Sequence, residues 1–476
     1  MDTKKLKKLM DFMFLITLFF FPVEMAMKLN FGFLSPYKVS LLFLIILSFI
    51  YVIKEKSFKD FFLSFKTAWK KFKYPIIFTC SYIIFDLISL LWTKDKAFSL
   101  KKYITIGPAL ICLLYSFFYF YMHNKADGNI DEALKKLFFT GGIVALFLSV
   151  LTWIYVIFLG RTFYILRTSL QSDYNQYALS IYIGFFIGLF YILKYSTKYK
   201  LIKFFVFITL VGPIFYTSGS RRFLLAILPS FMIFIVFAIL YVKRLNNNFN
   251  IKKFIIVLFL SLLTSFAIIS LYNNHSNKIY EKLKNEFNSD DFISSMDVDT
   301  DDILHGFALE KSLSEKAETI KSGSALGQRE KIWSIAIDEI KSYNIKDLIL
   351  GKGGSHHRDI YRTDKARKLL FPENTPKEKF HDYHPHSFFF VDILDGGLIK
   401  LSISILLIVS IISIFVKLFL RNEYIMSGLI LIYGANYLYS QSIDSINGIF
   451  ENRLTYIFLI ISYAGAFILD EKEKNY

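Results

Sequence analysis

Long apolar stretches separated by short polar loops recur along the whole chain. Most are runs of about 16 to 25 residues, which is enough for an α-helix to cross roughly 30 Å of hydrocarbon. Strands of a membrane barrel would instead be about ten residues long and would alternate in polarity. The pattern therefore predicts an all-α polytopic membrane protein with about twelve transmembrane helices. The predicted spans are residues 11–27, 39–53, 74–91, 103–121, 137–159, 177–193, 201–216, 223–242, 254–271, 388–418, 424–439 and 454–469.

The polar loops differ in their lysine content. Loops 54–73, 194–203 and 243–253 are rich in Lys, and short cytoplasmic loops carry an excess of Lys and Arg. These loops therefore predict that both termini are cytoplasmic. The lysines near the N-terminus precede an apolar run that has no convincing cleavage site, which predicts a retained first span. Four lysines between residues 94 and 102 are an exception, because this orientation places them outside the cytoplasm.

The longest polar segment, residues 273–385, separates the ninth predicted span from the tenth. The loop count places it outside the cytoplasm, where it is long enough to form a mainly helical subdomain. The predicted organisation is residues 1–272 with helices 1–9, residues 273–385 as the loop subdomain and residues 386–476 with helices 10–12. The acidic stretch 297–302 lacks the Gly and the closing Glu of an EF-hand, which favours a solvated turn over a calcium site.

Composition agrees with a membrane protein and excludes several other classes. The chain is 54% hydrophobic, with 53 Phe among its 476 residues. Its net charge of +17 comes largely from lysines in loops, so nucleic acid is not needed to explain it. Cys80 and Cys112 both lie in apolar runs and predict neither a disulfide nor a metal site. The sequence contains no Walker loop, no His-Glu-x-x-His motif and no Gly-x-Ser-x-Gly motif.

Candidate chemistry lies where the long polar segment meets the tenth predicted span. Imidazoles are the side chains most easily poised to accept a proton near neutral pH. His386 is the candidate proton acceptor of a reaction at the membrane surface, and His384 is the alternative base. The other interpretation is that both are solvated loop histidines. Asp395, further along the same span, is a possible supporting residue.

Arginines at the predicted membrane boundaries are candidates for phosphate binding. Arg221 and Arg222 follow Ser220 at the start of the eighth predicted span, and Arg329 lies in the external segment. A guanidinium binds phosphate oxygens through a planar fork that Lys lacks. Two arginines meeting over a diphosphate would neutralise the charge on a departing pyrophosphate. The alternative, above all for Arg222, is a side chain at the membrane boundary that only snorkels to the membrane–water interface.

Other polar residues are weaker candidates. Asp173 and Asn175 open the sixth predicted span, where they could line a cavity or anchor the interface. Asp86 lies within the third span and is either functional or a buried structural carboxylate. The cations between residues 352 and 368, Arg358 among them, form a local positive surface that could contact substrate or be solvated.

Five short motifs resemble those of the bacterial O-antigen ligases, together with the related O-antigen polymerases and protein O-oligosaccharyltransferases. The most specific is similar to the family's His-Asn-x-x-Leu pattern followed by an acid and Gly, with Ser387 in place of Asn and Phe390 in place of Leu. The stretches that carry the resemblance are Ser89–Thr93, Asp173–Ala178, Ser220–Arg221, Arg329 with Trp333 followed by Gly351 and Gly353, and His386–Phe390 with Asp395 and Gly397.

The resemblance implies an inverting, metal-independent glycan transfer in a GT-C-like fold at the periplasmic face of the inner membrane. The donor would be a glycan on undecaprenyl pyrophosphate, bound near Arg221, Arg329 and Arg222. His386 would take the proton from a sugar hydroxyl of lipid A core, without a cofactor or ATP. The possible supporting residues are Ser220, Asn175, Asp173, Trp333, His384, Arg358 and Asp395.

Two alternatives stay open at this point. A polymerase would use the same chemistry with a second lipid-linked glycan as acceptor. A lipid-linked glycan flippase is a different class of protein, and it would require charged residues deep within several spans. We expect Asp86 to be nearly alone there, which favours the enzyme.

Overall fold

The computed structural model describes residues 3–27, 35–54, 58–127, 130–159, 168–170, 174–218, 220–244, 251–286, 324–371, 383–444, 448–450 and 453–473. Within these ranges the chain is helical and contains no β-strand. The helices are α1 (Thr3–Met27), α2 (Pro36–Lys54), α3 (Phe58–Ile88), α4 (Lys96–Lys101), α5 (Tyr103–Asp127), α6 (Asp131–Leu159), α7 (Tyr174–Tyr195), α8 (Lys200–Thr217), α9 (Arg221–Arg244), α10 (Ile251–Glu286), α11 (Ser324–Lys341), α12 (Ile345–Leu350), α13 (His356–Asp359), α14 (Asp364–Leu370), α15 (Phe388–Leu420), α16 (Tyr424–Asp444) and α17 (Arg453–Glu473).

The helices confirm a multi-pass, all-α membrane protein. Apart from the last residues of the third, which form a 3-10 turn, the predicted spans lie inside helices. Among the described residues, ten helical segments are long and apolar enough to cross a bilayer, and Leu454–Leu469 is a shorter apolar helix. The count of twelve transmembrane helices therefore stays a prediction. The ten candidate segments lie in α1, α2, α3, α5, α6, α7, α8, α9, α10 and α15.

The chain divides into two compact units that combine segments far apart in the sequence. Unit 1 consists of residues 1–61, 122–315 and 422–432, and unit 2 of residues 62–121, 316–421 and 433–476. The predicted three-part division followed chain order instead. Residues 324–371 of the predicted loop subdomain belong to unit 2, together with most of α3 and the whole of α15.

In unit 1, α7 is the most enclosed of the candidate spans, because 89% of the residues in its apolar stretch are buried. Glycines allow it to approach α6 closely. A Cβ added at Gly184 would lie 2.5 Å from the carbonyl oxygen of Gly141, and one added at Gly142 would lie 3.1 Å from the Cα of Gly188. Small residues at such crossings let helix backbones pack where the surrounding lipid supplies no hydrophobic driving force.

In unit 2, residues 324–371 pack on the first turns of α15 through a small apolar core. Apolar side chains at helical spacing on α11 supply one side of it, and the hydroxyl of Tyr361 donates to the carbonyl of Ile332 at 3.0 Å. The region is therefore folded onto α15. The core residues are Ile332, Ala336, Ile360, Tyr361, Leu370, Tyr383 and Leu394.

The helix α15 is broken at Gly397, which has φ 62° and ψ −160°. The break occurs next to backbone carbonyls that accept hydrogen bonds from outside the helix. The amide of Lys352 donates to Leu394 at 3.0 Å, and the amide of Gly353 donates to Asp395 at 2.9 Å. A carbonyl without a partner is costly in hydrocarbon. The turn at residues 351–354 therefore completes the hydrogen bonding of the broken helix.

This glycine turn is buried and closely packed rather than a flexible loop. Gly351 and Gly353 have φ of 68° and 100°, which only Gly adopts readily. A Cβ at Gly351 would lie 2.4 Å from the carbonyl group of Asp395, and one at Gly353 would lie 2.6 Å from Thr93. The amide of Gly354 donates to the hydroxyl of Thr93 at 2.9 Å. The two glycines therefore fix the turn against two other segments of unit 2.

We expect Gly351→Ala to destabilise the protein. The positive φ alone costs on the order of 1–3 kcal/mol for a side chain, and the overlap with the backbone of Asp395 adds to it. Gly354→Ala is the matched control, because its Cβ would meet side chains rather than backbone, Ser99 Oγ at 3.0 Å and Lys102 Nζ at 3.7 Å, and no positive φ is involved. The melting temperature of each variant in detergent checks this. Equal melting temperatures for the two variants would contradict the packing described here.

Candidate functional site

His384 and His386 lie immediately before α15 in unit 2. Both side chains are half-buried, and their ring centroids are 6.1 Å apart with the ring planes perpendicular. His386 has φ 54°, a left-handed conformation that is uncommon for a residue other than Gly. Strained backbone of this kind concentrates at functional sites. The backbone geometry therefore marks His386 as the more unusual of the two candidate bases.

A buried carboxylate–imidazole pair adjoins these rings. Asp395 accepts hydrogen bonds from Nδ1 of His357 at 2.8 Å and from its backbone amide at 3.0 Å. Both side chains are 1% exposed. Because a carboxylate accepts, the Nδ1 atom of His357 carries a proton. The His357 ring lies 6.4 Å from that of His384, so unit 2 brings Asp395, His357, His384 and His386 together.

Sequence analysis did not identify His357 as a site residue. The signal that could have found it is Asp395, because a carboxylate inside an apolar span requires a donor or a cation. The sequence does not show that the partner lies 38 residues earlier. His357 is placed there by the glycine turn, which hydrogen-bonds to the break in α15.

The helix that carries Arg329 contacts the histidine segment. The indole nitrogen of Trp333 on α11 donates to the carbonyl of Pro385 at 2.8 Å, and its ring lies 6.1 Å from that of Phe390. Arg329 is half-buried and lies one helical turn before Trp333, on the same face of α11. Trp333 is thus held against the residue that precedes His386, and Arg329 lies one turn earlier on the same helix.

The candidates of unit 1 are only partly described. The hydroxyl of Ser220 donates to the side-chain oxygen of Asn175 at 2.8 Å, which ties the start of α9 to the first turn of α7. Arg221 and Arg222 begin α9, but their side chains lie outside the described residues, as does Asp173. The convergence of Arg221 with the candidates of unit 2 therefore stays a prediction.

The predicted positive surface between residues 352 and 368 is partly neutralised by acids. The guanidinium of Arg358 lies over the ring of Phe98 at 3.9 Å, which is a cation–π contact. Arg358 follows His357 directly, so it is the cation of this group nearest to the histidines in sequence. Salt bridges join Lys352 to Glu339 at 2.6 Å, Arg362 to Asp359 at 3.8 Å and Lys365 to Asp338 at 3.7 Å.

A second buried cluster joins α3, the start of α5 and α15. The Nζ atom of Lys400 lies 2.9 Å from one carboxylate oxygen of Asp86 and 3.8 Å from Asp392. Lys102 pairs with the other oxygen of Asp86. These two acids and two lysines are together neutral, as the cost of burying unpaired charge requires. Hydrogen bonds run to Asp392 from Tyr82 at 2.8 Å and from Ser404 at 2.5 Å, and to Asp86 from Tyr103 at 2.9 Å.

This cluster changes two of the sequence-based interpretations. Lys102 was unexplained in a loop where Lys is disfavoured, and it pairs with the buried carboxylate of Asp86. The prediction that Asp86 is nearly alone within the spans is wrong, because Asp392, Asp395 and Lys400 all lie in α15. These three charged residues were not counted because they lie within a long apolar run. Charged residues within spans therefore do not separate an enzyme from a transporter here.

No family model matches the chain, and no curated protein matches it. The resemblance to the O-antigen ligases accordingly rests on its short motifs. Their residues in unit 2, at Thr93, Trp333, Gly353, His386 and Asp395, contact one another or lie in adjoining segments of one neighbourhood.

The hydrogen-bond partner of His356 differs from that of its neighbour His357. Its Nε2 atom lies 2.9 Å from Glu339, and its ring lies 6.2 Å from that of Tyr343. Burial lowers the pKa of His356, although Glu339 opposes the shift. The neutral ring therefore donates from Nε2 to Glu339.

Across the described ranges, no group of three or more His, Cys, Asp or Glu side chains could hold a metal ion.

The arrangement in unit 2 is suited to moving a proton. A half-buried imidazole at His386 can accept a proton from a hydroxyl group. The enclosed Asp395–His357 pair adjoins His384 and is shielded from solvent. Arg329 can supply a cation from α11 for a developing negative charge.

Proposed function

We propose that the protein is a membrane glycosyl transferase of the O-antigen ligase type. It would transfer a glycan from undecaprenyl pyrophosphate to a sugar hydroxyl of lipid A core, at the periplasmic face of a bacterial inner membrane. In this proposal twelve helices form a GT-C-like fold, both termini are cytoplasmic, and residues 273–385 are a periplasmic loop between helices 9 and 10.

One observation carries the proposal: the indole of Trp333 donates to the carbonyl of Pro385 at 2.8 Å. It links two motifs that are far apart in the sequence, the one that begins with Arg329 and the one that begins with His386. A diphosphate leaving group and an attacking hydroxyl must lie on opposite sides of one anomeric carbon. A cation and a base held on neighbouring segments are what such a reaction requires.

In the proposed reaction, His386 accepts the proton of the acceptor hydroxyl as its oxygen attacks the anomeric carbon. The bond from that carbon to the pyrophosphate oxygen breaks, with its electron pair leaving on undecaprenyl pyrophosphate, and the anomeric configuration inverts. Arg329 and Arg221 hold the leaving charge, and His386 releases its proton to water. The donor linkage supplies the free energy, so ATP is not consumed, and no metal or cofactor takes part.

Purified protein with lipid-linked donor and one acceptor at a time tests the proposal. Release of undecaprenyl pyrophosphate together with glycan on lipid A core supports the ligase. Glycan extended on a second lipid-linked molecule instead identifies a polymerase, which has the same chemistry. Movement of lipid between leaflets without either product would contradict glycan transfer.

We expect Trp333→Phe to lower the rate of transfer by at least about tenfold, because small displacements of reacting groups are costly. Phe keeps a smaller aromatic ring beside Phe390 and removes the donor to Pro385. Ser334→Ala is the control, because Ser334 is exposed and bonds only within its own helix. Equal rates in the two variants would show that the Trp333–Pro385 contact does not align the site.

A further inference from the structure

We infer that His357 and Asp395 are positioning residues for His386, acting through the ring of His384. This inference rests on the proposed function, because it assigns the pair a role in holding the base of that reaction. The observations that carry it are a buried hydrogen-bonded pair and an unbroken row of three imidazoles.

The row begins at a fixed point. Asp395 accepts from both the ring and the backbone amide of His357, at 2.8 and 3.0 Å. The amide of Gly353 in turn donates to the backbone carbonyl of Asp395 at 2.9 Å. His357 is therefore held at both its ring and its backbone amide by one carboxylate. A ring held in this way is a rigid surface against which a neighbour can pack.

The row then passes outward through aromatic contacts. The rings of His357 and His384 are 6.4 Å apart at 37°, and those of His384 and His386 are 6.1 Å apart at 90°. Both distances are within the range of interacting aromatic pairs. The His357 ring also lies 6.4 Å from that of Phe98. The His357 ring thus packs against both Phe98 and His384, and its orientation limits where the His384 ring can lie.

Exposure separates the roles along the row. His357 and Asp395 are each 1% exposed, so neither is placed to contact a substrate. His384 and His386 are half-buried. The inner pair therefore acts on the reaction by holding the outer rings, and not by direct contact with the acceptor hydroxyl.

Labelling of histidines with diethyl pyrocarbonate, followed residue by residue with mass spectrometry, tests the inference without requiring activity. We expect His357→Gln and Asp395→Asn each to raise the labelling rate of His386 about threefold or more. His356→Gln is the matched control, since it replaces the adjacent buried ring, which contacts Glu339 and Tyr343 instead. His123 is the internal reference, because it is buried in unit 1 beside Asp11 and labels faster only if the protein unfolds.

The two possible failures are distinguishable. An unchanged ratio of His386 to His123 labelling in both variants would overturn the inference, whatever the activity. In the transfer assay, we expect His357→Gln to lower kcat about tenfold or more with KM changed less than about threefold, since the base is misplaced while the binding residues are intact. If the two variants raise His386 labelling as expected but the wild-type protein transfers no glycan, the result would contradict the proposed function alone.

Discussion

His386→Ala is expected to reduce glycan transfer by about 10²- to 10⁴-fold, the usual contribution of a general base. The protein should still insert and fold, because His386 precedes α15 and its side chain is only half-buried. The measurement is release of undecaprenyl pyrophosphate by purified protein, with the melting temperature as a check on folding. Full activity in this variant would end the proposed role of His386.

His384→Ala separates the two candidate bases. If His386 is the base, losing His384 misplaces it and lowers kcat, but the decrease should be smaller than that in His386→Ala. A larger decrease of kcat in His384→Ala than in His386→Ala would make His384 the base.

Arg221→Ala and Arg329→Ala should each abolish transfer while leaving insertion intact, as expected for groups that hold the diphosphate.

Lys400→Met is expected to destabilise unit 2 by about 3–5 kcal/mol, the usual cost of breaking a buried ion pair. Lys400 contacts both carboxylates of the neutral cluster, so its loss leaves two acids with Lys102 alone. Thermal unfolding in detergent and the yield of monodisperse protein measure the effect. Lys417→Met is the control, because Lys417 lies on the same helix but is exposed.

A second change should restore part of this loss. Lys400→Met combined with Asp392→Asn returns the cluster to one acid and one lysine, Asp86 and Lys102. We therefore expect the double variant to be more stable than Lys400→Met, a coupling that a double-mutant cycle measures. A double variant less stable than either single variant would show that charge balance does not govern the cluster.

The helices were predictable from the sequence because each apolar run is long enough to cross a bilayer. Their ends were less so. The helix α3 begins at Phe58, within the predicted loop 54–73, and α10 continues to Glu286, beyond the predicted end at residue 271. Hydropathy predicts only the part of a helix that lies in hydrocarbon. A helix can continue into water with polar residues, so its ends are not visible in the apolar pattern.

Part of the candidate site was also predictable, since motif spacing identified His386, Arg329 and Trp333. The contact of Trp333 with Pro385, the His357–Asp395 pair and the cluster around Lys400 were not. Each joins residues 38 or more positions apart. The pattern of a single sequence does not show which distant residues pair. It shows only that the charged residues inside α15 require partners.

The separation of 314 residues between Asp86 and Lys400 bears on how the chain is assembled during synthesis. At the usual 5–20 residues per second, α15 emerges roughly 15 to 60 s after α3. Throughout that interval Lys102, only a short distance along the nascent chain, is the cation available to shield the carboxylate. Early segments of unit 2 must therefore persist in the bilayer as an incomplete intermediate until the last third of the polypeptide arrives.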